Sequence, residues 1–254
     1  MGIADWTLTL KNLVLPTFCQ LCGLRLLTDE NGFFCPTCWE ASRRIDRPFC
    51  TVCGRPQVVA VGTGGGPNFP CGPCGQRKPD APIRRVVAPA IYGDAIGEAI
   101  RLFKFNGKRR LAVPLAEVMV EFAEQELDCA YYTRIVPVPL FRVRERERGF
   151  NQSTLLARAI RPAFPNAELA PALERIRPTR VQSRLKSADL RRKNVLGAFA
   201  ATDGDHVRGQ RVLLIDDVVT TGGTVTECAR VLRGAGAETV DVFATALTEL
   251  PLEF

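Results

Sequence analysis

Two groups of residues in this chain have the types and spacings that do chemistry. The first is eight cysteines in four C-x-x-C pairs: Cys19/Cys22, Cys35/Cys38, Cys50/Cys53 and Cys71/Cys74. A two-residue spacer turns both thiolates of a pair toward one ion, and two pairs complete a tetrahedral four-thiolate zinc site. Twelve residues separate Cys22 from Cys35 and seventeen separate Cys53 from Cys71, gaps that suit the hairpin of a zinc ribbon. Pairing in series is the simplest arrangement, and an interleaved pairing is also open. Redox C-x-x-C chemistry expects a strand–helix context that this segment lacks. Gly23, Gly54 and Gly75 follow three of the pairs, where a knuckle turn often takes positive φ. The segment has little apolar periodicity, so one or two structural zinc ions would supply its folding free energy, on the order of 10 kcal/mol per ion. A structural or partner-docking role for this lobe and a nucleic-acid contact both stay open. Cys129, Cys228 and the single histidine, His206, read as two core thiols and a surface residue.

The second group is VLLIDDVVTTGGT, residues 212–224. An apolar strand delivers Asp216 and Asp217 at its carboxyl end, and Thr220-Thr221-Gly222-Gly223-Thr224 then opens a helix. Glycines let the backbone approach an anion, and successive N–H groups and threonine hydroxyls surround a phosphate at the helix N-terminus. Two carboxylates beside that loop repel phosphate but accept hydrogen bonds from hydroxyl groups, with a divalent cation nearby. Phosphate on one side and vicinal hydroxyls on the other describe a ribose 5-phosphate. The loop is neither a Walker loop nor a dinucleotide fingerprint, because the G-x-x-x-x-G-K and G-x-G-x-x-G orders are absent.

These residues need elements to position them. The chain has 254 residues, 46% apolar and 24% charged, an ordinary globular composition. No apolar run is long enough for a spanning helix, and the first residues lack the basic start and cleavage site of a secretory signal, so a soluble, cytoplasmic protein without a membrane span is expected. Composition shifts near residue 80. The pattern predicts a lobe over 1–80, with an N-terminal helix and the cysteine pairs, and an α/β domain over 81–254. In the latter, strands are expected at 86–92, 134–138, 212–216 and 239–247, and helices at 94–105, 109–126, 151–161 and 223–234. The formal charge is +7, and residues 134–193 hold 13 Arg and 2 Lys against 5 acidic residues. A field of that sign invites phosphate-rich partners, although a solvated basic face gives the same pattern.

The 212–224 segment resembles the phosphoribosyl pyrophosphate (PRPP) motif of type I phosphoribosyltransferases. KFNGK (104–108), VPVP (136–139), RERGFNQS (146–153), RRKNVLGAF (191–199) and the cysteine pairs narrow the resemblance to the ComF family of late competence proteins. It covers nearly the whole chain. The resemblance implies a type I phosphoribosyltransferase-like parallel sheet flanked by helices and preceded by a double zinc ribbon. It implies that Asp216 and Asp217 hold ribose hydroxyls, that Thr220, Thr221, Gly222, Gly223 and Thr224 hold the 5′-phosphate, and that the loop at Pro137–Leu140, with Pro137 and Val138 in the PRPP site, approaches pyrophosphate with magnesium. Lys104, Gln182, Lys186, Arg191 and Arg192 would serve pyrophosphate or close over it, keeping water from an oxocarbenium-like centre. Arg142, Arg144, Arg146, Arg148 and Phe150 are candidates for phosphate or nucleic acid, with Phe141 and Phe150 the aromatic residues near this run that could stack on bases. Purine-salvage relatives place an acidic general base where this chain has Thr220, which cannot move that proton at neutral pH.

Two functions follow. One is a DNA-uptake protein on the cytoplasmic side, binding a PRPP-type sugar phosphate and single-stranded DNA, with an uptake helicase or channel as partner. The other is an active phosphoribosyltransferase of unknown acceptor. A module in which PRPP gates DNA or protein binding is a third variant of the same site.

Overall fold

The computed structural model describes residues 16–26, 32–57, 66–78, 80–179, 194–202, 206–249 and 252. The expected N-terminal helix and the loop residues Gln182, Lys186, Arg191 and Arg192 lie outside the described residues.

The centre is a six-stranded parallel sheet in the order β3 (Arg85–Val87), β10 (Thr239–Leu247), β9 (Arg211–Val219), β5 (Arg134–Pro137), β6 (Glu168–Leu169), with β4 (Ala90–Ile91) also pairing on β10. β9 and β10 are buried along nearly their whole length, as a parallel strand covered on both faces must be. The expected strand at 86–92 is two strands. Proline has no N–H for a ladder, and the carbonyl of Pro89 turns aside to accept the Ile45 N–H at 2.8 Å. β9 is longer than the expected 212–216. Its pairing on β10 continues through Asp216↔Ala244 to Val219↔Leu247, so both aspartates lie within the strand.

Helices α3 (Asp94–Phe105), α4 (Ala112–Glu126, entered through a 3₁₀ turn at Arg109–Leu111), α6 (Gln152–Ile160) and α7 (Gly223–Gly234) cover the sheet. In α4, Leu115, Val118, Met119 and Phe122 are buried while Glu117, Glu121 and Glu124 face out, the apolar stripe expected of a helix on a core. Three features escaped the sequence pattern: the edge strand β6, α5 (Arg142–Arg148) and the antiparallel pair β7 (Leu173–Arg175) with β8 (Phe199–Ala201). Among the described residues no helix is long and apolar enough to cross a membrane.

The cysteine lobe contributes β1 (Thr17–Phe18), antiparallel to β2 (Arg25–Leu26), and two short helices, α1 (Pro36–Glu40) and α2 (Gly72–Gly75). Its core is continuous with that of the sheet. Phe49 lies 5.7 Å from Phe122, which lies 6.3 Å from Phe243 of β10.

Candidate functional site

The cysteines gather in series, Cys19, Cys22, Cys35 and Cys38 in one cluster and Cys50, Cys53, Cys71 and Cys74 in the other, with all ligand atoms of a cluster within 4.8 Å of one another. Cys22 and Cys35 sulfurs are 3.7 Å apart, and Cys53 and Cys71 sulfurs 3.9 Å. Four thiolates around zinc at about 2.3 Å have S···S edges of about 3.8 Å, so both clusters fit the ion. Gly23 and Gly54 have φ of +74° and +71° and donate back to Cys19 and Cys50 carbonyls at 2.9 Å. Gly75 departs from the expectation. It is the last residue of α2 and is not among the positive-φ glycines, because the second pair of each cluster sits on a short helix that Cys35 or Cys71 begins and a proline follows. N–H groups of Val52, Cys53 and Cys71 point at the Cys50 sulfur at 3.2 to 3.4 Å. Cys53 beside it and these N–H groups favour the thiolate form of Cys50.

The second centre follows from topology. From β5 the chain goes outward to β6, and from the adjacent β9 it goes the other way to β10. The crevice beyond the carboxyl ends of two such strands is where open α/β sheets bind ligands. β5 brings Pro137 and Val138 there, and β9 brings Asp216 and Asp217. Pro137 and Val138 are buried, with the Val138 carbonyl taken by Asn151 Nδ2 at 3.0 Å. The open part of that loop is Leu140 and Phe141.

The head of α6 faces the same crevice. Asn151 caps it, accepting from the N–H groups of Ser153 and Thr154. Ser153 Oγ donates to Asp216 Oδ1 at 3.2 Å, as does the Asp217 N–H at 2.9 Å. Gln152 Nε2 donates to Asp217 Oδ2 at 2.8 Å, while the buried Gln152 Oε1 has no hydrogen-bond partner. Lys104 Nζ, from the last turn of α3, is 2.7 Å from Asp217 Oδ1. Burial and then the charge of Asp217 push Asp216 up to about 7, with Lys104 pulling the other way. Gln152 and Ser153 carried no assigned role in the sequence. The available signal was a capping Asn followed by two polar residues at the head of a helix.

Gly222, with φ +86°, opens α7 without a side-chain cap, so the first-turn N–H groups have no acceptor within the helix. Asp216, Thr220, Gly222, Gly223 and Thr224 line a cavity of about 20 Å³ at this turn, while Thr221 is buried. A larger groove of about 780 Å³ adjoins it, and Thr224 lines both. Residues four apart share a helix face, so α5 divides its arginines. Arg144 and Arg148 line the groove with Lys104 and Arg175, while Arg142 pairs with Glu174 at 2.6 Å and Arg146 is exposed. Burial lowers the affinity of Arg148 and Arg175 for their protons, and each has a buried nitrogen without a partner. Of the two rings expected to stack on bases, Phe141 lines the groove and is half-buried, whereas Phe150 is not free to stack. It is buried against Phe103 at 5.3 Å under Arg109, and the exposed ring in the groove is Phe105, 66% accessible, with the Arg148 guanidinium 5.6 Å from its centre.

A Double zinc ribbon domain model matches residues 10–78 and a Phosphoribosyl transferase domain model matches residues 132–248. The molecule is thus a phosphoribosyltransferase-type α/β domain joined to a double zinc ribbon. DNA utilization protein YhgH of Escherichia coli strain K12 is 34% identical over 93% of this chain and 99% of its own. Competence protein F of Haemophilus influenzae is 29% identical over 90% and 96%, and Competence protein ComFC of Bacillus subtilis 27% identical over 80% and 78%. The chain belongs to the ComF family.

Proposed function

We propose that this chain is a DNA-uptake protein that holds a PRPP-type sugar phosphate at the β5/β9 crevice and single-stranded DNA along the groove beside it. The observation that carries this is the junction of the two cavities. Thr224 lines both, so the anion-binding turn opens into a groove bearing Lys104, Arg144, Arg148 and Arg175. The names of the relatives, competence and DNA-utilization proteins, supply the process. Work on the cytoplasmic side, beside a helicase or import channel, is part of the same reading. The zinc ribbons hold the lobe together, with the boundary at residues 80/81. Magnesium enters only with the ligand's pyrophosphate.

In the sugar-phosphate site, the Asp216 carboxylate accepts hydrogen bonds from the ribose hydroxyls. Burial and Asp217 raise its carboxyl to about 7, so affinity for ribose 5-phosphate should rise more steeply from pH 6 to 8 in wild type than in Asp216→Asn, where only the ligand's own phosphate titrates. The same shift has a stability sign. The folded chain holds a proton that the unfolded chain has released, so stability falls as pH rises from about 4 to 7. In the groove, binding of oligodeoxythymidine should weaken steeply with salt, the log–log slope falling by about 0.7 for each phosphate contact removed in Arg144→Ala or Arg148→Ala. Binding that is flat in salt rejects the DNA reading.

The second reading, a transferase, is favoured by the size of the groove, about 780 Å³ beside the sugar site, which accommodates an acceptor. It requires pyrophosphate release from PRPP with an acceptor mixture, abolished in Asp216→Asn.

A further inference from the structure

The two neighbouring aspartates are not equivalent. The β9–β10 register pairs Asp216 with Ala244 and Val218 with Ala246, with Asp217 between them, and adjacent side chains of a strand leave on opposite faces. Asp216 lines the phosphate-loop cavity, whereas Asp217 lines neither that cavity nor the large groove. Both Asp217 oxygens already have partners, Lys104 Nζ on Oδ1 at 2.7 Å and Gln152 Nε2 on Oδ2 at 2.8 Å. Its side chain is 4% exposed, and that of Lys104 22%. Arg148 adds a second positive charge to the field on this carboxylate.

Magnesium implied by the fold does not fit at Asp217. The ion needs carboxylate oxygen at about 2.0–2.1 Å and keeps several waters around itself, and here an ammonium occupies that side of Oδ1 and an amide donor occupies Oδ2. We propose that Lys104 is the resident counter-cation of the acidic pair, that Asp217 is a positioning residue fastening α3 and α6 to the end of β9, and that a sugar diol is read by Asp216 alone. The last clause rests on the sugar-phosphate reading above, and the first two do not.

The test uses the zinc-loaded full chain with Mn²⁺ alone as probe, followed by paramagnetic resonance. Wild type is expected to bind no Mn²⁺ at the pair. Lys104→Gln is expected to gain one ion per chain, lost again in Lys104→Gln/Asp217→Asn, whose neutral pair also avoids a stranded buried carboxylate. One Mn²⁺ bound by wild type and removed by Asp217→Asn overturns the assignment, and that arm decides even if Lys104→Gln does not fold. In a second arm ribose 5-phosphate is titrated in magnesium-free buffer. Asp216→Asn should weaken binding roughly tenfold or more and Asp217→Asn by much less, since removing a charged hydrogen-bonding partner costs the contact it makes. Equal loss in the two variants, both still folded by circular dichroism, overturns the division of roles. Absence of sugar-phosphate binding in wild type removes the ligand reading alone, because the manganese arm involves no sugar.

Discussion

The two zinc ribbons follow one plan and are used differently. Each joins a Cys-x-x-Cys-Gly knuckle with a left-handed glycine to a short helix begun by a cysteine and stiffened by proline. In the second ribbon the knuckle lies on the sheet. Cys50 and Cys53 are buried, the Val52 carbonyl takes the Val86 N–H at 2.7 Å, and Phe49 enters the aromatic row of the core. In the first ribbon Cys19 and Cys35 are also buried, but the tip of the knuckle is not: Cys22 is exposed, Gly23 faces open space, and Phe18, Leu21 and Leu24 are solvent-accessible. The same metal chemistry therefore closes the wall of the α/β domain in one case and folds a peripheral hairpin in the other. What separates them is which side of the knuckle meets the sheet.

The largest effect that can break this comparison is loss of one ion. Zinc in a structural site contributes on the order of 10 kcal/mol of folding free energy. Cys53→Ser should remove one zinc and, with it, the cooperative unfolding of the sheet, leaving a chain that binds a hydrophobic dye. Cys22→Ser should also remove one zinc but keep the main thermal transition. Metal stoichiometry by elemental analysis and melting by circular dichroism check both. Equal collapse in the two variants would show that the first ribbon is also part of the domain wall.

A methyl group sharpens the comparison at smaller scale. A Cβ on Gly54 would stand 2.6 Å from the Val86 carbonyl oxygen and 3.3 Å from Leu247, at φ +71°, whereas one on Gly23, at φ +74°, meets nothing within 4 Å. The left-handed conformation costs a non-glycine residue about 1–2 kcal/mol. Gly23→Ala should lose about that much. Gly54→Ala should lose about 3 kcal/mol or more, because backbone must also move. Urea unfolding midpoints of the two variants measure the difference.

Much of this architecture was legible, for physical reasons that name its gaps. α3, α7 and β10 match the expected limits because periodic apolar runs there end at Gly or Pro signals. β9 ran past its expected end because two aspartates read as a strand terminus, while their backbone stays paired with β10. α5 has no apolar face to betray it, since its alternating arginines and glutamates are solvated on most sides. The serial cysteine pairing settled between two arrangements that spacing alone permits. At the site, the loop and the acids could be read locally, but the Lys104–Asp217 contact joins α3 to β9 and has no local signature. Phe150 looked like a stacking surface because it follows an arginine run. The Gly149 turn, at φ +76°, instead directs the next residue into the core.

The smallest test concerns two amides. In the second ribbon Asn68 Oδ1 accepts the Phe49 N–H at 2.9 Å, and its Nδ2 donates to Glu126 of α4 at 3.2 Å. In the first, Gln20 Nε2 donates to the Phe18 carbonyl at 3.2 Å in an exposed setting. Removing Asn68 leaves a part-buried N–H without its acceptor and cuts a tie between lobe and helix, so Asn68→Ala should cost about 1–2 kcal/mol. Water replaces the exposed Gln20 contact, so Gln20→Ala should lie within about 0.5 kcal/mol of wild type. If both variants unfold at the wild-type urea midpoint, the Asn68 amide contributes nothing to docking the second ribbon. Its attachment would then rest on zinc, the Val52–Val86 hydrogen bond, the Arg47–Glu126 ion pair at 2.6 Å and the aromatic row.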